Sequence, residues 1–343
     1  MKKLLPLLLV LLLTVLAACN NDDNNEDEDT STNETTNEEQ ASEEENDSTE
    51  ETRSITINDA TGEKTIEGTP ERIVVLEWTY AEDLLALDVQ PVGVADMEGY
   101  ESWVNVDIPF DDSVEDVGTR QEPNLEAISR LDPDLIIGVD YRHEAILSDL
   151  ENVADTVLFS PYGEEAAQDQ FKDMVDSFNM IGEIVDKEDQ AEEVLDHMNQ
   201  VFDEQSDRIA DAEIENNAYV LTQAFTSQNT PTLRLFTDNS IAATVMNNLG
   251  LENAYESEQL EAYGYSSTTV ETLQNFQDAH FFYIVQDDDN IFDDQLAGNP
   301  VWENLEFVQE ERTHKLAGNT WTFGGPISAE VLAKQITDAM LNE

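Results

Sequence analysis

The sequence predicts an α/β protein in which two α/β halves, each with a mostly parallel sheet, flank one long helix. Two observations carry this. Short apolar runs bounded by turn residues alternate with helical stretches, first between residues 72 and 159 and again after residue 217. Such alternation marks a parallel sheet covered on both faces. Between the two series lies a segment of unbroken helical spacing. In chain order, RIVVLE (72–77), PVGVA (91–95), DLIIG (134–138) and DTVLF (155–159) read as strands, separated by helices at 80–87, 124–130 and 143–152. Phe171, Met174, Val175, Phe178, Ile181 and Val185 then recur at the period of a helix with one apolar stripe. A second helix is expected from Glu188 to about Arg208. Strands at NAYVLTQA (217–224), LRLF (233–236), HFFYIV (280–285) and RTHKLA (312–317), with helices at 239–249 and from about Ile327 to Leu341, complete the second half. The expected divisions are a first lobe over 53–165, a linking helix over 166–186 and a second lobe over 187–343. No internal repeat marks a solenoid.

The amino terminus predicts export. Two lysines precede an apolar run from Leu4 to Ala18, which ends in Leu16-Ala17-Ala18-Cys19. A basic start, an apolar centre and small residues before a cut read as a signal peptide over 1–18, and the run falls short of the roughly 20 residues that span a bilayer. Cys19 is the only cysteine, so it forms no internal disulfide. At this position it resembles the lipidation site of bacterial lipoproteins, which predicts a chain anchored by lipid to the outer face of the cell membrane. Residues 20–52 hold fifteen acidic residues and almost no apolar ones. Such a segment cannot offset its ordering entropy, so 19–52 is expected to be a disordered, extended tether.

Charge excludes some partners. The 343 residues include 15 Lys plus Arg against 77 Asp plus Glu, a formal net charge of −62. This surface repels nucleic acid and anionic lipid headgroups, and strong screening would relieve its self-repulsion, which points to a salt-rich habitat. Nothing in the chain matches G-x-S-x-G, a phosphate-cradling glycine loop or H-E-x-x-H. The paired glycines of TFGGPIS lack a following Lys-Ser/Thr and read as a turn opening the last helix, with Pro326 near its start. His143, His197, His280 and His314 are scattered, which argues against a bare-metal site built on histidine.

Four stretches carry a family resemblance: RIVVLEWTYAEDLLALDVQPVGVAD (72–96), DVGTRQEPNLEAISRLDPDLIIGVDYRH (116–143), LRLFTDNSIAATVMNNLGL (233–251) and LAGNTWTFGGPISAEVLAKQI (316–336). Over residues 53–343 the chain resembles the substrate-binding lipoproteins of ABC importers for ferric siderophores, and looks most like the iron(III) dicitrate and hydroxamate branch. The resemblance implies two Rossmann-like lobes joined by a single long helix, with the ligand cleft between them. It implies capture of a ferric siderophore and delivery to an ABC permease for iron uptake, by a monomer that is not an enzyme. The siderophore wraps the iron, so the protein needs no cofactor and no metal ligands of its own. The alternative within the class is a haem- or corrinoid-binding lipoprotein; an extracellular enzyme stands last.

Candidate site residues follow. In open α/β sheets ligands bind beyond the carboxyl ends of strands, where Trp78 and Tyr80, then Tyr141, Arg142 and His143, then Trp321 and Phe323 are expected. Arginine stays charged and offers a planar fork to carboxylate or hydroxamate oxygens. Arg120 stands first, because the resemblance implies that the arginine of VG-x-R-x-x-P-N-L-E contacts the siderophore. Arg142 and Arg234 follow; for each of the three a structural ion pair is the alternative. Trp78, Tyr141 and Trp321 are expected to supply apolar faces, against ordinary core packing, with Tyr263 and Tyr265 behind them. His143 either donates to an anion or serves the fold. Some relatives carry arginine after the tryptophan of NTW, where this chain has TFGG; that departure favours a less anionic citrate-hydroxamate or hydroxamate ligand over ferric dicitrate. On resemblance alone, Glu126 and Glu271 are the residues that dock on the permease.

Overall fold

The computed structural model describes residues 53–342. The expected signal peptide, lipidated Cys19 and acidic tether lie outside the described residues. Among the described residues, no helix is long and apolar enough to cross a membrane.

The chain opens on a hairpin, β1 (Ser54–Asp59) against β2 (Gly62–Glu67). Its tight turn is held by the Asp59 carboxylate, which accepts from both the backbone and the hydroxyl of Thr61. The first sheet then forms from β3 (Ile73–Val75), β4 (Gly93–Val94), β5 (Glu115–Asp116), β6 (Leu135–Val139) and β7 (Asp155–Phe159), in the order β5-β4-β3-β6-β7 with every pairing parallel. All residues of β3 and β6 are buried, as continuous apolar runs require when helices cover both faces. The covering helices are α1 (Trp78–Ala86), α2 (Met97–Trp103), α3 (Leu125–Arg130), α4 (Asp140–His143) and α5 (Leu147–Glu151). The sequence predicts one helix over 143–152; the structure divides it. His143 turns back, its Nδ1 accepting the Val139 N–H at 3.0 Å, and a 3-10 turn at Glu144–Ile146 follows.

The helix α6 (Gln170–Ile184) leads from this sheet toward the second. Asp169 caps it by accepting the Lys172 N–H at 3.0 Å. Its stripe serves both cores. Phe178, Ile181 and Ile184 pack into the first lobe, and Met174, with Phe171 and Val175, into the second. After α7 (Glu188–Asp211) comes a six-stranded sheet of β8 (Ala218–Ser227), β9 (Thr230–Phe236), β10 (Glu252–Asn253), β11 (Tyr265–Thr268), β12 (His280–Ile284) and β13 (Thr313–Leu316). The order is β11-β9-β8-β12-β13, with β10 beside β8. This sheet is mixed: β12 is parallel to β8 and β13, whereas β9 is antiparallel to β8 and β11. The cause is a two-residue turn, Gln228-Asn229, with both residues at positive φ, the geometry that matches strand twist in a tight hairpin. The remaining helices are α8 (Ile241–Asn248), the short α9 (Ile291–Asp294), α10 (Pro300–Glu303) and α11 (Glu306–Gln309), and α12 (Pro326–Leu341), which packs on α7 and α8.

A second tie joins the lobes beside α6. Glu82 of α1 is 1% exposed and accepts hydrogen bonds from Ser328 N (2.7 Å) and Ser328 Oγ (2.6 Å) at the start of α12. Nearby, Thr79 Oγ1 donates to the Phe323 carbonyl at 2.7 Å.

Candidate functional site

The strands of the first sheet end at a cleft whose far wall is the second lobe. A cavity of about 380 Å³ opens there, lined from the first lobe by Glu77, Arg120, Tyr141, Arg142 and Tyr162, and from the second by Arg234, Tyr263, Tyr265, Trp321 and Phe323.

Arg120 is positioned by its loop. Gly118 has φ +97°, and a Cβ there would sit 2.9 Å from Asn124 N, so the tight Val117–Asn124 turn requires glycine. Asn124 N closes this turn on Val117 O at 2.7 Å, and the Asn124 side chain caps α3. His143 is fully buried, and its Nε2 donates to the Arg120 carbonyl at 2.8 Å. Burial lowers its pKa, so it stays neutral and fixes the loop. The guanidinium lies on the face of Trp78, Cζ 3.3 Å from the ring centroid. Trp78 is locked in turn, since Nε1 donates to the carbonyls of Ala95 (3.2 Å) and Asp96 (3.0 Å). At 3% exposure it serves as the platform beneath Arg120.

The three arginines do not share one environment. Arg120 Nη1 reaches Glu77 Oε1 at 2.7 Å, with Asp96 at 3.6 Å from its Nε; Arg142 Nη1 pairs with Glu77 Oε2. Glu77 is 6% exposed and ties both guanidiniums together, so the ion pairs foreseen as the alternative exist alongside cleft exposure. Glu77 and the more distant Asp96 together balance the two guanidiniums of that wall. Tyr141 joins them, its hydroxyl 2.8 Å from Arg142 Nη1. Arg234, on β9, has no ion pair among the described residues. Its guanidinium sits between Phe225 (4.7 Å) and Tyr265 (4.6 Å), and Nη1 donates to Gln223 Oε1 at 3.0 Å. Arg120 Nε, Arg234 Nε and Trp321 Nε1 are buried without hydrogen-bond partners.

The aromatics form a row across the cleft. Tyr141, Tyr162, Tyr263 and Tyr265 follow one another at centroid distances of 5.2, 4.7 and 6.2 Å. Trp321 lies 5.3 Å from both Trp78 and Phe323. Five of the six ligand-contact candidates, Arg120, Arg142, Arg234, Tyr141 and Trp321, line this one cavity; Trp78 does not, because it is buried beneath the Arg120 guanidinium with its Nε1 spent on backbone carbonyls. Sequence reasoning missed Glu77 and Tyr162. Glu77 directly follows a strand, which is a positional signal, but one acid among 77 has no compositional signal. Arg130, Arg208 and Arg312 pair with Glu115, Asp338 and Glu310, and Arg72 hydrogen-bonds backbone carbonyls of residues 131 and 132. Glu126 and Glu271 are exposed in opposite lobes, in the first turns of α3 and of the 3-10 helix Val270–Asn275.

Burial raises the pKa of two acids that line the cleft. Asp83 is 1% exposed, and burial, with Glu82's charge beside it, raises its pKa well above the carboxylate range. Burial, with Asp176's charge second, pushes Asp173 up to about 6. The ordinary aspartate value is about 3.9. Asp173 therefore contributes stability in full below that value and loses it as pH rises through about 6. Asp173→Asn is expected to melt higher than wild type at pH 7.5 and to lose that advantage by pH 4; equal shifts at both pH values in thermal scans would contradict this.

Known proteins resemble the chain in fold and sequence. The Fe(3+)-citrate-binding protein YfmC of Bacillus subtilis is 31% identical over 297 residues, covering 86% of this chain and 89% of that protein. The iron(3+)-hydroxamate-binding protein FhuD of Escherichia coli is 26% identical, covering 79% and 87%. A crystal structure of the siderophore-binding protein FhuD of Vibrio cholerae, bound to ferric Desferal, superposes with TM-score 0.70 at 27% identity over 79% of this chain and 98% of that one. The periplasmic binding protein family model matches residues 73–317. With two lobes, a connecting helix and a cation-bearing cleft between them, the chain belongs to the periplasmic binding protein family.

Proposed function

We propose that the protein binds a ferric siderophore of the citrate-hydroxamate or hydroxamate type in the interlobe cleft and delivers it to an ABC permease. The observation that carries this reading is the convergence of Arg120, Arg142 and Arg234 with a row of tyrosines in one cavity, in a chain with almost no cations to spare. A ferric chelate presents anionic oxygens to guanidiniums and broad faces to aromatic rings. Its oxygens would also satisfy the partnerless N–H groups of Arg234 and Trp321. Iron arrives wrapped by its chelator, so binding needs no protein ligand to the metal and no turnover. The lobes are tied by α6 and by the Glu82–Ser328 contact, a pairing that favours small closure over wide hinge motion. We further assign Cys19 as the lipid anchor of a monomer held at the outer face of the membrane.

The test is a tryptophan-fluorescence titration of the full-length protein in high salt with ferric hydroxamates, ferric citrate-hydroxamates, ferric citrate, haem and cobalamin. Saturable quenching by a ferric chelate supports the reading. Saturable binding of haem or cobalamin alone overturns it and leaves an importer of another ligand.

Glu126 and Glu271 are assigned to permease docking. Glu126→Lys and Glu271→Lys are each expected to cut iron uptake by whole cells about tenfold or more while leaving the chelate Kd within twofold. A matching loss of binding would refute that assignment.

A further inference from the structure

The interlobe groove does not end at the arginines. Arg120, Arg234, Trp321 and Phe323 line the tyrosine-walled cavity on one side and a second cavity, about 520 Å³, on the other. That volume lies within the roughly 300–1,000 Å³ of cavities that hold small molecules. Both lobes build it: Trp103 comes from the end of α2, and Phe225 and Val285 come from the second lobe. At its far side Gln286 Nε2 bridges the lobes by donating to the Ser102 carbonyl at 3.2 Å.

We propose that this second cavity is a subsite for a pendant chain of the siderophore, a flexible run of methylene and amide groups whose end is neutral or cationic. The inference rests on the ferric-siderophore reading and specifies which members of that class bind. Three observations support it. The two cavities share their arginine-bearing wall, so a chain attached to a chelate beside Arg120 and Arg234 can pass directly into the second. The apolar faces of Trp103, Phe225 and Val285 match methylenes, and the side-chain amides of Gln223 and Gln286 match amide groups. Beyond the shared arginines, no cation among the described residues lines this cavity, while Asp288 and Asp289 do. Asp289 is engaged, its Oδ2 accepting Thr226 N at 2.7 Å, whereas Asp288 is exposed. An anionic chain end would meet these carboxylates unpaired, so the subsite discriminates by repulsion as well as by fit.

The experiment compares four ferric chelates on the full-length protein at fixed ionic strength. They are a linear trihydroxamate ending in an aminopentyl chain, its N-succinyl derivative, a cyclic trihydroxamate without a free chain, and citrate. The amine-ended chelate is expected to bind at least about tenfold more tightly than the cyclic one, and succinylation is expected to abolish the gain. Trp103→Ala is expected to remove the gain while sparing the cyclic chelate. Asp288→Lys, an exposed change that leaves the core alone, is expected to restore the succinylated chain. Equal binding of the three trihydroxamates, unchanged by Asp288→Lys, would overturn this inference alone, as would saturable binding of ferric citrate with none of the trihydroxamates. Silence toward all four by a chain that circular dichroism shows to be folded would overturn the ferric-siderophore reading and this inference with it.

Discussion

Arg120→Ala is expected to weaken capture of the ferric ligand by about 100-fold. Truncating one member of a buried, hydrogen-bonded charge pair costs about 2–5 kcal/mol, and each 1.4 kcal/mol is tenfold in affinity. Arg120 would form such a pair with the anionic chelate, and three features hold it in place for that. Its side chain is largely buried, its Nη1 is 2.7 Å from Glu77, and its backbone carbonyl is pinned by the neutral His143. Removal would leave Asp96 without its cation beside a Glu77 that pairs with Arg142 alone, so the first-lobe wall would turn net negative toward an anionic chelate. It would also uncover the face of Trp78, so the variant should report in unliganded fluorescence as well as in titration. Arg120→Lys restores the charge but not the planar fork or its stacking on Trp78, and it is expected to recover no more than a tenth of the lost affinity. Glu77→Gln acts in the opposite sense: it frees two guanidiniums for an anionic chelate, at the expense of stability, since two buried cations lose their carboxylate. An unchanged Kd in a folded Arg120→Ala would remove Arg120 from the site.

The legible parts of this molecule are those where one residue type at one spacing has one physical meaning. RIVVLE and DLIIG are continuous apolar runs because both faces of their sheet are covered, and the stripe from Phe171 to Val185 is helical because it must serve two cores. Arg120 stood out because a cation is rare in this chain and its loop motif is specific. The first hairpin was passed over although Ile55 and Ile57 alternate with polar residues, since six residues of half-buried strand give a weaker signal than a buried run. The β8–β9 turn was passed over because Gln-Asn lacks the glycine that usually marks such hairpins. Glu77, Glu82 and Asp83 were illegible for a stronger reason. Against 77 acids a buried carboxylate looks like a solvated one, and Glu82 and Asp83 are buried where Gly324, Gly325 and Ser328 of the second lobe pack on them. The paired glycines of TFGGPIS were legible as a helix-opening turn but not as the reason the lobes can meet: a Cβ on Gly324 would come within 2.5 Å of Glu82 Oε2, and one on Gly325 would collide with the Asp83 carboxylate.

That seam gives the second large effect. Glu82→Ala is expected to destabilise the protein by about 3 kcal/mol, because it leaves buried donors unmet, lowering the melting temperature by roughly 6–12 °C at 2–4 °C per kcal/mol. The N-cap of α12 is Gly325, which has no side chain to offer, so the cap is delivered from the other lobe. Glu82 takes Ser328 N and Oγ, and the backbone N–H groups of Gly325 and Ile327 nearby also favour its charged form. A carboxylate at a helix N-terminus is favoured by the dipole as well. Ser328→Ala removes only the hydroxyl and is expected to cost about 1 kcal/mol; a Glu82→Ala loss no larger than that would mean that water replaces the cap. Asp83 tests the same seam with the opposite sign. Burial raises the pKa of both acids, the donors lower that of Glu82, and Glu82's charge raises Asp83 further. Asp83 is therefore the residue that holds the proton. Because its folded pKa lies above its unfolded one, its stabilising contribution is complete below the ordinary carboxylate range and is lost as pH climbs through the raised value. Asp83→Asn keeps the shape without the titration. It is expected to melt higher than wild type at pH 8, with the difference closing as pH falls toward 4. A difference that stayed constant over that range would show that Asp83 carries no proton in the folded protein, and that Glu82 caps α12 beside a second buried charge.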